Sequence, residues 1–401
     1  MKKLWLIFLT TIFCFVTVNG LADGLTLKTA STFAGIDAAA DTYAELLKEW
    51  EDETGNMIID QSSTSDEAWK TSVLNDFAVG NEADVLFFFA KTADSAAILN
   101  RVIPISQINE AYPQYHFEED MNIAEADGTV YAIPVRPYWE GLFCNADLFA
   151  QYGLELPTNW ENFEIAIRTF RKAGITPISV SLSDVPHYIA EFCILSAGSA
   201  DDHQARPSKG EQVPQSWIDG MQLIRKLYLM GAFSDDVNAT TVAEATQNFC
   251  SKKAAMQIDG SWFANSLSEL GMETTVVLPF PAYSEEAEPT AYIYGVSMGF
   301  YLTRAAWMDD ANRDAAVSLL NHLATGENAD ALGVYNISGK FLQSYESMVN
   351  NARIKNYPIQ DEMQQEARGR WFGLIPGIAD GSVDPAEMWA EVMNMDPFPE
   401  Q

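Results

Sequence analysis

The pattern G-x-S-x-G, at Gly295-Val-Ser297-Met-Gly299, is the clearest candidate for nucleophilic chemistry. In α/β-hydrolases this pattern places a serine on a sharp turn between a strand and a helix. Here Phe300-Tyr-Leu-Thr303 continues the apolar strand, and only His322 follows as a possible triad base. The pattern therefore favours an ordinary strand over a nucleophile. We predict that the protein is not an enzyme, and a secreted hydrolase using Ser297 remains the alternative.

Carboxylates are abundant, but their spacing does not single out the acid–nucleophile pair of a glycosidase. The chain has 56 acidic and 24 basic residues, which gives a formal net charge of −32 at pH 7. Phosphate partners need a basic face, so this charge excludes nucleic acid as the expected partner. The acidic residues are scattered, as is typical of a solvated surface. A cationic ligand or a saline habitat is the alternative reading of the charge.

Cysteine and histidine spacing does not indicate a metal centre, and we expect neither a metal nor a cofactor. There is no C-x-x-C motif, and the histidines lie far apart in the sequence: His116, His187, His203 and His322. An oxygen-only Ca²⁺ site at Asp380-Gly-Ser-Val-Asp384 remains an alternative. Beyond the N-terminal segment, at most one disulfide can form among three cysteines: Cys144, Cys193 and Cys250.

Residues 1–22 have the pattern of a secretory signal peptide. Lys2 and Lys3 precede an apolar stretch over 4–18, and Gly20-Leu-Ala22 is a small-x-small cleavage site. Cys14 follows the bulky Phe13, so lipidation is not expected. No later segment approaches about 18 consecutive apolar residues, the length of a membrane span. We expect cleavage near Ala22 and a periplasmic or secreted protein.

Strand and helix patterns alternate over the first hundred residues, and residues 84–89 form a nearly continuous apolar strand. This order predicts an open α/β sheet flanked by helices. Such sheets bind ligands beyond the carboxyl ends of their strands. The candidate ligand contacts at these ends are Phe33, Asp66, Trp69 and Lys91. Asp66 equally suits a helix N-cap, and Trp69 equally suits the core.

Residues 127–145 are a proline-marked segment that we interpret as a crossing between two bodies. Pro134 and Pro137 fix φ and lack a backbone donor, so we predict two short strands around a bend rather than a central strand. The segment carries Tyr138 and Trp139. Alternation of side chains predicts that one of these rings faces a ligand cleft and the other a core.

Charged residues of the same segment are also candidates. Glu140 or Arg136 could hydrogen bond to ligand hydroxyls, and a salt bridge is the alternative for both.

Trp262 stands directly after a predicted strand over 253–259 and a glycine, at the start of a predicted helix. An indole ring can cover the C–H face of a pyranose while polar neighbours hydrogen bond to the hydroxyls. The strand-end position favours this role over a core position. Further candidates are His187, with Asp184 and Tyr188, after the strand over 175–180; Tyr294 at a second crossing; Lys340 at a third crossing over 332–342; and Trp371 in a turn over 369–373.

The motifs in this order resemble the extracellular solute-binding proteins of ABC importers, in particular the carbohydrate-binding family 1. Residues 128–134 resemble G-x-x-Y-A-I-P, and residues 159–163 stand where T-W-x-E-F is usual. Residues 249–262 (FCSKKAAMQIDGSW) resemble F-x-x-G-K-A-A-M-x-x-x-G-x-W, with Lys252 in place of the glycine.

The resemblance implies a two-lobed periplasmic-binding-protein-like fold (type II), with open mixed sheets flanked by helices and a ligand cleft between the lobes. We predict lobe I over 23–134 and 286–330, lobe II over 135–285, and a segment of lobe II or hinge with C-terminal helices over 331–401. The implied function is capture of a sugar or oligosaccharide by hinge closure, for delivery to the transmembrane subunits of an ABC permease. A monomer is expected. The alternative ligand is a polyol, an osmolyte or an amine.

Overall fold

The computed structural model of the chain describes residues 24–35, 37–64, 67–125, 127–333 and 337–398, apart from the side chains of Asn122, Val296 and Ser297. The strands in this part of the chain are β1 (Thr26–Ala30), β2 (Met57–Asp60), β3 (Val85–Phe89), β4 (Ile133–Asn145), β5 (Thr176–Ser179), β6 (Ala254–Gly260), β7 (Thr275–Leu278), β8 (Tyr292–Leu302) and β9 (Lys355–Asn356).

The α-helices are α1 (Ala40–Thr54), α2 (Glu67–Val79), α3 (Ala93–Ala96), α4 (Ile105–Ala111), α5 (Ala146–Gln151), α6 (Trp160–Lys172), α7 (His187–Ala197), α8 (Ala200–His203), α9 (Gln215–Leu229), α10 (Val242–Cys250), α11 (Glu269–Thr274), α12 (Arg304–Met308), α13 (Arg313–Ala324), α14 (Gly326–Gly333), α15 (Gly339–Asn351), α16 (Gln365–Asp380) and α17 (Pro385–Asn394). Short 3₁₀ helices span Leu99–Arg101, Met121–Ile123, Ser261–Ser266 and Ile359–Glu362.

The strands follow the order β2-β1-β3-β8-β4-β6-β5, with β7 also paired to β4 and β9 to β8. β1 is parallel to both β2 and β3, whereas β8 is antiparallel to β3 and β4. The carboxyl half of β8, from Met298 to Leu302, pairs with β3, and its amino half pairs with the Tyr138–Glu140 part of β4. The two long strands β4 and β8 therefore run through both halves of the molecule.

Two large apolar cores lie on either side of this central strand pair. The core of lobe I is built from side chains between Leu27 and Ile133 and between Met298 and Leu332. The core of lobe II takes side chains from 142–293 and again from 359–392. A smaller third cluster around Trp139 and Phe143 packs against α15. The predicted segment ends at 134, 285 and 330 fall within β4, before β8 and within α14.

The prediction of two strands around a proline bend is wrong. Residues 133–145 form one continuous strand near the middle of the sheet, and Pro134 and Pro137 lie inside it. The pairing with β8 shifts register between Pro134 and Arg136 and again between Arg136 and Tyr138. These irregularities accommodate residues that cannot donate to a regular ladder, so the strand continues past both prolines.

Three local predictions in the second half of the chain are also corrected. The third crossing predicted over 332–342 contains the end of α14 and the start of α15. The turn predicted over 369–373 is the interior of α16. The helix predicted after Trp262 is a six-residue 3₁₀ helix. Gly369 and Gly373 favour a turn over 369–373, yet tertiary packing keeps this backbone helical.

The three cysteines within the described residues are all free thiols: Cys144, Cys193 and Cys250. No helix in the described ranges has the length and apolar composition needed to span a membrane.

Gly220 in α9 lies against the backbone of α7, and this close approach predicts a large effect of substitution. A Cβ atom at Gly220 would stand 2.6 Å from the Cα and 2.7 Å from the N of Ile194. We expect Gly220→Ala to lower the free energy of unfolding by about 1–3 kcal/mol, because the two helices must separate. Urea denaturation followed by circular dichroism measures the change.

Gly373 in α16 is the matched control, since a Cβ atom there would meet nothing within 4 Å. Gly373→Ala should raise the free energy of unfolding by about 0.5–1 kcal/mol through backbone entropy. Equal effects of the two substitutions would show that α7 and α9 do not pack at this distance.

Candidate functional site

An aromatic cluster lies where β6 ends beside β4. Trp262, in the 3₁₀ helix that follows β6, has its ring centroid 5.7 Å from that of Tyr138 and 5.8 Å from that of Tyr188. The indole folds back over Gly260, where a Cβ atom would stand 2.2–2.4 Å from the ring. Only glycine leaves room for this arrangement. The ring of Trp262 remains partly exposed and so keeps apolar surface for a ligand.

Four buried carboxylates belong to the same region: Glu140 of β4, Glu191 of α7, Asp259 of β6 and Asp361 of the 3₁₀ helix at 359–362. The Tyr138 hydroxyl donates a hydrogen bond to Asp361. The backbone N–H of Gln360 donates to Glu191 over 3.0 Å. These bonds connect strand β4, helix α7 and the C-terminal part of the chain at one place.

Burial disfavours the ionised forms of three of these carboxyls: Glu140, Asp259 and Asp361. Burial raises the pKa of Glu140 well above its usual range, and the neighbouring Glu191, Asp361 and Asp259 raise it further. Burial also raises the pKa of Asp259 to about 6, although hydrogen bonds from Gly260 and Gln257 oppose the shift.

The same cause acts on two other groups of the region. Burial raises the pKa of Asp361 to about 6 against the opposing charge of Lys70. The pKa of the Tyr188 hydroxyl lies well above its ordinary value because of burial and the charges of Asp259, Glu140 and Asp361. Tyr188 therefore stays protonated beside the carboxylates.

Two glutamine side chains extend the set of acceptors. Gln257 donates its Nε2 to Asp259 over 2.7 Å, and Gln360 donates its Nε2 to Asp361 over 2.8 Å. The amide oxygens of both are buried and meet no donor within the described residues, and neither does Oε2 of Glu140. A buried acceptor without a donor is costly. The site therefore suits a ligand rich in O–H or N–H donors.

His187 borders the site at the start of α7. Its ring stacks on Phe372 at 4.4 Å and meets Tyr188 edge-on at 4.6 Å. Burial lowers the pKa of His187 to about 3, so the ring is neutral. Its Nδ1 is buried and has no hydrogen-bond partner in the described part of the chain.

Arg368 joins the two lobes across the cleft. It lies on α16, which packs into the lobe II core, and its side chain is fully buried. Its guanidinium reaches Glu67 on α2 at 2.9 Å and Asp94 on α3 at 3.0 Å, both in lobe I. Lys70 also binds Glu67, at 3.0 Å. Burial opposes ionisation of Glu67, yet Lys70 and Arg368 lower its pKa to about 2.

Several predicted ligand contacts lie inside the lobe I core. Phe33 stacks on Phe87 at 4.4 Å, and Trp69 packs against Phe88 at 5.4 Å. Arg136 is buried, bonds to Asp37 at 2.7 Å and donates to the backbone carbonyl of Leu332. Asp66 lies outside the described residues.

Other predicted contacts lie away from the aromatic cluster. Trp139 points to the opposite face of β4 from Tyr138 and stacks on Tyr345 at 4.7 Å. Tyr294, its partner on β8, lies under Lys355 at 4.3 Å. Trp371 is fully buried in the lobe II core. The remaining three are exposed: Lys91, Asp184 and Lys340. From the predicted set, the structure thus brings together five residues: Tyr138, Glu140, His187, Tyr188 and Trp262.

The strongest additions to the site are Asp259, Asp361 and Arg368. Asp259 ends the strand of the most specific motif, so the rule that ligands bind at strand ends would have selected it. Asp361 and Arg368 come from a C-terminal region in which no motif marks them. Only the tertiary fold brings them to the cleft.

Comparison with known proteins defines the class. The family model described as bacterial extracellular solute-binding protein matches residues 36–330. The chain belongs to this family. Within the described residues β8 continues through the G-x-S-x-G pattern as a strand, without a strand–turn–helix elbow. The protein is a solute-binding protein and not an enzyme, so the hydrolase alternative is rejected.

Individual relatives are distant in sequence and close in fold. The multiple sugar-binding protein of Streptococcus mutans is 20% identical over 234 residues, which cover 55% of this chain and about half (54%) of that protein. A structure from work on xylan utilization by Caldanaerobius polysaccharolyticus has a TM-score of 0.77 at 20% identity, over 92% of this chain and 99% of that one. A chitin oligosaccharide binding protein has a TM-score of 0.79 at 15% identity, over 92% and 98%. The predicted two-lobed α/β fold is confirmed.

The raised pKa of Asp259 predicts how the stability of the ligand-free protein depends on pH. Because its pKa is about 6 in the folded protein and 3.8 ordinarily, the folded state keeps this proton where the unfolded chain has released it. The free energy of unfolding should therefore fall as the pH rises from about 4 to 6, by on the order of 2–3 kcal/mol for this group. In Asp259→Asn this part of the slope should disappear in urea titrations at pH 4–7. Exposed Asp380→Asn should keep it, and an unchanged slope in Asp259→Asn would contradict the assignment.

We expect substitution of Arg368 to weaken closure of the two lobes selectively. In Arg368→Gln, Glu67 and Asp94 lose their shared partner, and separation of the lobes lets water solvate them. We expect the dissociation constant of the best ligand to rise at least about tenfold, a part of the several kcal/mol that breaking a buried pair can cost. Isothermal calorimetry measures the affinity, and small-angle scattering measures the lobe separation.

The control for this variant is Arg370→Gln on the same helix, because Arg370 pairs with Glu391 on the surface of lobe II. It should bind as the wild type does. Equal affinities of the two variants would refute a role for Arg368 in closure.

Proposed function

We propose that the protein captures a carbohydrate in the cleft between its lobes and delivers it to the membrane subunits of an ABC importer. The observation that carries this proposal is the partly exposed indole of Trp262, held against Tyr138 and Tyr188 beside buried hydrogen-bond acceptors. A pyranose has an apolar C–H face and a rim of hydroxyl donors. An aromatic platform with acceptors at its edge matches both.

The cross-lobe contacts support hinge closure as the mechanism. Arg368 binds Glu67 and Asp94 only when α16 lies next to α2 and α3, and Gln365 donates to Thr71 across the same boundary. A ligand that touches both lobes in this arrangement stabilises it over the open form. Its differential affinity for the two forms then shifts the population toward closure.

Distant relatives support the ligand class. The similar proteins include a multiple sugar-binding protein and a chitin oligosaccharide binding protein. The motif over residues 249–262, which ends at Trp262, is the part of the sequence that most resembles the carbohydrate-binding family. A neutral sugar, an oligosaccharide or a substituted sugar all fit the platform.

The location of the protein and its oligomeric state are part of the same proposal. Residues 1–22 have the signal-peptide pattern, and the family is extracellular by its description. We propose a protein in the periplasm or outside the cell that acts as a monomer, with the permease as its partner.

A thermal-shift screen of the chain from Asp23 onward tests the ligand class. Sugars, oligosaccharides, polyols and cationic osmolytes are compared, because a ligand that binds only the folded protein raises the melting temperature with concentration. A rise with one family of sugars supports the proposal. Silence across all sugars and a response to a polyol or an osmolyte would overturn it.

Trp262→Ala should weaken binding of the sugar found in this screen by about 1–3 kcal/mol, since the platform loses its largest apolar face. Isothermal calorimetry measures the loss. The matched control is Trp307→Ala, which removes a partly buried tryptophan of lobe I that packs on Tyr112. The control should bind normally, and wild-type affinity in Trp262→Ala would remove Trp262 from the site.

A further inference from the structure

The charge balance of the site differs from that of the other buried carboxylates. The buried Asp94 binds Arg368, together with the partly exposed Glu67, and the buried Glu82 binds Arg101. In contrast, three carboxylates of the site form no salt bridge within the described ranges: Glu140, Asp259 and Asp361. Such groups are rarely buried unless a cation or a strong donor accompanies them.

Glu191 also lacks a cation, although His203 lies 3.0 Å away. Nδ1 of His203 faces the amide nitrogens of Gln204 at 3.2 Å and Asn356 at 3.3 Å. Each of these nitrogens also donates to a backbone carbonyl, of Tyr357 or Ala200, which fixes the orientation of both amides. Nδ1 must therefore accept, so the ring carries its proton on Nε2. Nε2 lies 3.0 Å from Oε2 of Glu191, yet both atoms are buried without a hydrogen-bond partner in the described residues.

The nearest cations do not neutralise Glu140. Lys70 and Arg368 act on Asp361, but both are already held by Glu67. Around Glu140 the charged neighbours are Glu191, Asp361 and Asp259, all of one sign. The part of the site next to Glu140 therefore holds carboxyl groups whose ionised forms are disfavoured in the ligand-free protein, and a bound cation favours those ionised forms.

Independent features indicate a donor-rich ligand at this point. The amide oxygens of Gln257 and Gln360 are buried and meet no donor from the residues that the structure describes, and each amide is fixed by its own bond to Asp259 or Asp361. The rings of Tyr138 and Trp262 stand beside the carboxylates. Aromatic faces together with carboxylates are the surroundings that proteins use to bind ammonium groups.

Building on the proposed carbohydrate function, we propose that the ligand is an amino sugar whose protonated amine binds at Glu140. The ammonium donates to Oε2 of Glu140 and faces the ring of Tyr138 or Trp262, while the sugar hydroxyls donate to the glutamine oxygens. Within the described residues no three acidic, histidine or cysteine side chains converge to hold a metal ion.

Matched pairs of ligands test this inference by calorimetry. The pairs are glucosamine with glucose, galactosamine with galactose, and β-1,4-linked glucosamine oligosaccharides with cello-oligosaccharides of the same length. Each pair differs only by amine in place of hydroxyl. In at least one pair the amino form should bind about tenfold or more tightly, as expected for a charge-assisted hydrogen bond.

Glu140→Gln should reduce this preference to within about threefold, because the amide keeps the shape and removes the charge. The exposed Glu286→Gln changes the net charge of the protein by the same amount and should keep the preference. Thermal unfolding of each variant checks that it is folded. A preference that survives in folded Glu140→Gln would overturn the inference.

The outcomes separate this inference from the proposed function. Neutral sugars that bind as tightly as their amino partners refute the amino-sugar ligand and leave carbohydrate capture intact. Binding of a non-sugar amine such as putrescine, with silence across all sugars, refutes both. Absence of binding by every amino sugar in the set also refutes the inference.

Discussion

Strands β4 and β8 pair along most of their lengths, from Ile133 opposite Phe300 to Glu140 opposite Ile293. One end of this ladder belongs to the lobe I sheet and the other to the lobe II sheet. Every relative movement of the lobes must therefore be absorbed by these strands. The register shifts beside Pro134 and Pro137 lie in this connection, where the ladder has fewer regular hydrogen bonds to resist bending. Tyr138 and Glu140 follow directly, so the ligand site adjoins the part of the sheet that bends.

The site concentrates polar groups that the fold alone does not satisfy. Among the described residues, Glu140, Gln257 and Gln360 each hold a buried acceptor that meets no donor, while Glu67 and Asp94 are paired with Arg368 from the opposite lobe. The acceptors without a donor favour ligand binding, and the carboxylates paired with Arg368 favour closure of the lobes. Because the two groups lie in the same cleft, ligand binding and lobe closure stabilise the same arrangement. Each contributes to the free energy that separates the closed form from the open one.

The sequence predicts the fold class and part of the site. Strand ends and the motif around Trp262 are local signals, and Glu140 follows the paired aromatic residues of the crossing. The sequence does not indicate Asp361 and Arg368 as site residues, because their positions depend on how α16 packs against α9 and reaches α2. Phe33 and Trp69 are predicted as ligand contacts because each follows a strand end in the sequence. An aromatic residue at such a position can still turn inward, and both rings pack on the phenylalanines of β3.

The prolines of β4 are the clearest case in which a residue preference loses to the tertiary structure. Each proline removes a donor, but among the described strands β4 pairs only with β8 around Pro134 and Pro137, in a shifted register, and its pairing with β6 and β7 begins at Glu140. A strand paired on one side tolerates the loss. Glycines show the same limit of local rules. Gly369 and Gly373 mark no turn, whereas Gly260 is needed because the indole of Trp262 lies over it.

The interleaving of the two cores has a consequence for biosynthesis. The lobe I core needs residues on both sides of the lobe II segment, and the lobe II core in turn includes Trp389 and Val392. At a synthesis rate of about 5–20 residues per second, roughly ten seconds or more separate the two lobe I segments on the ribosome. Neither core can close around the nascent chain during that time. The two lobes therefore fold only after most of the chain has been synthesised, because lobe I needs strand β8, which is made long after its neighbouring strands.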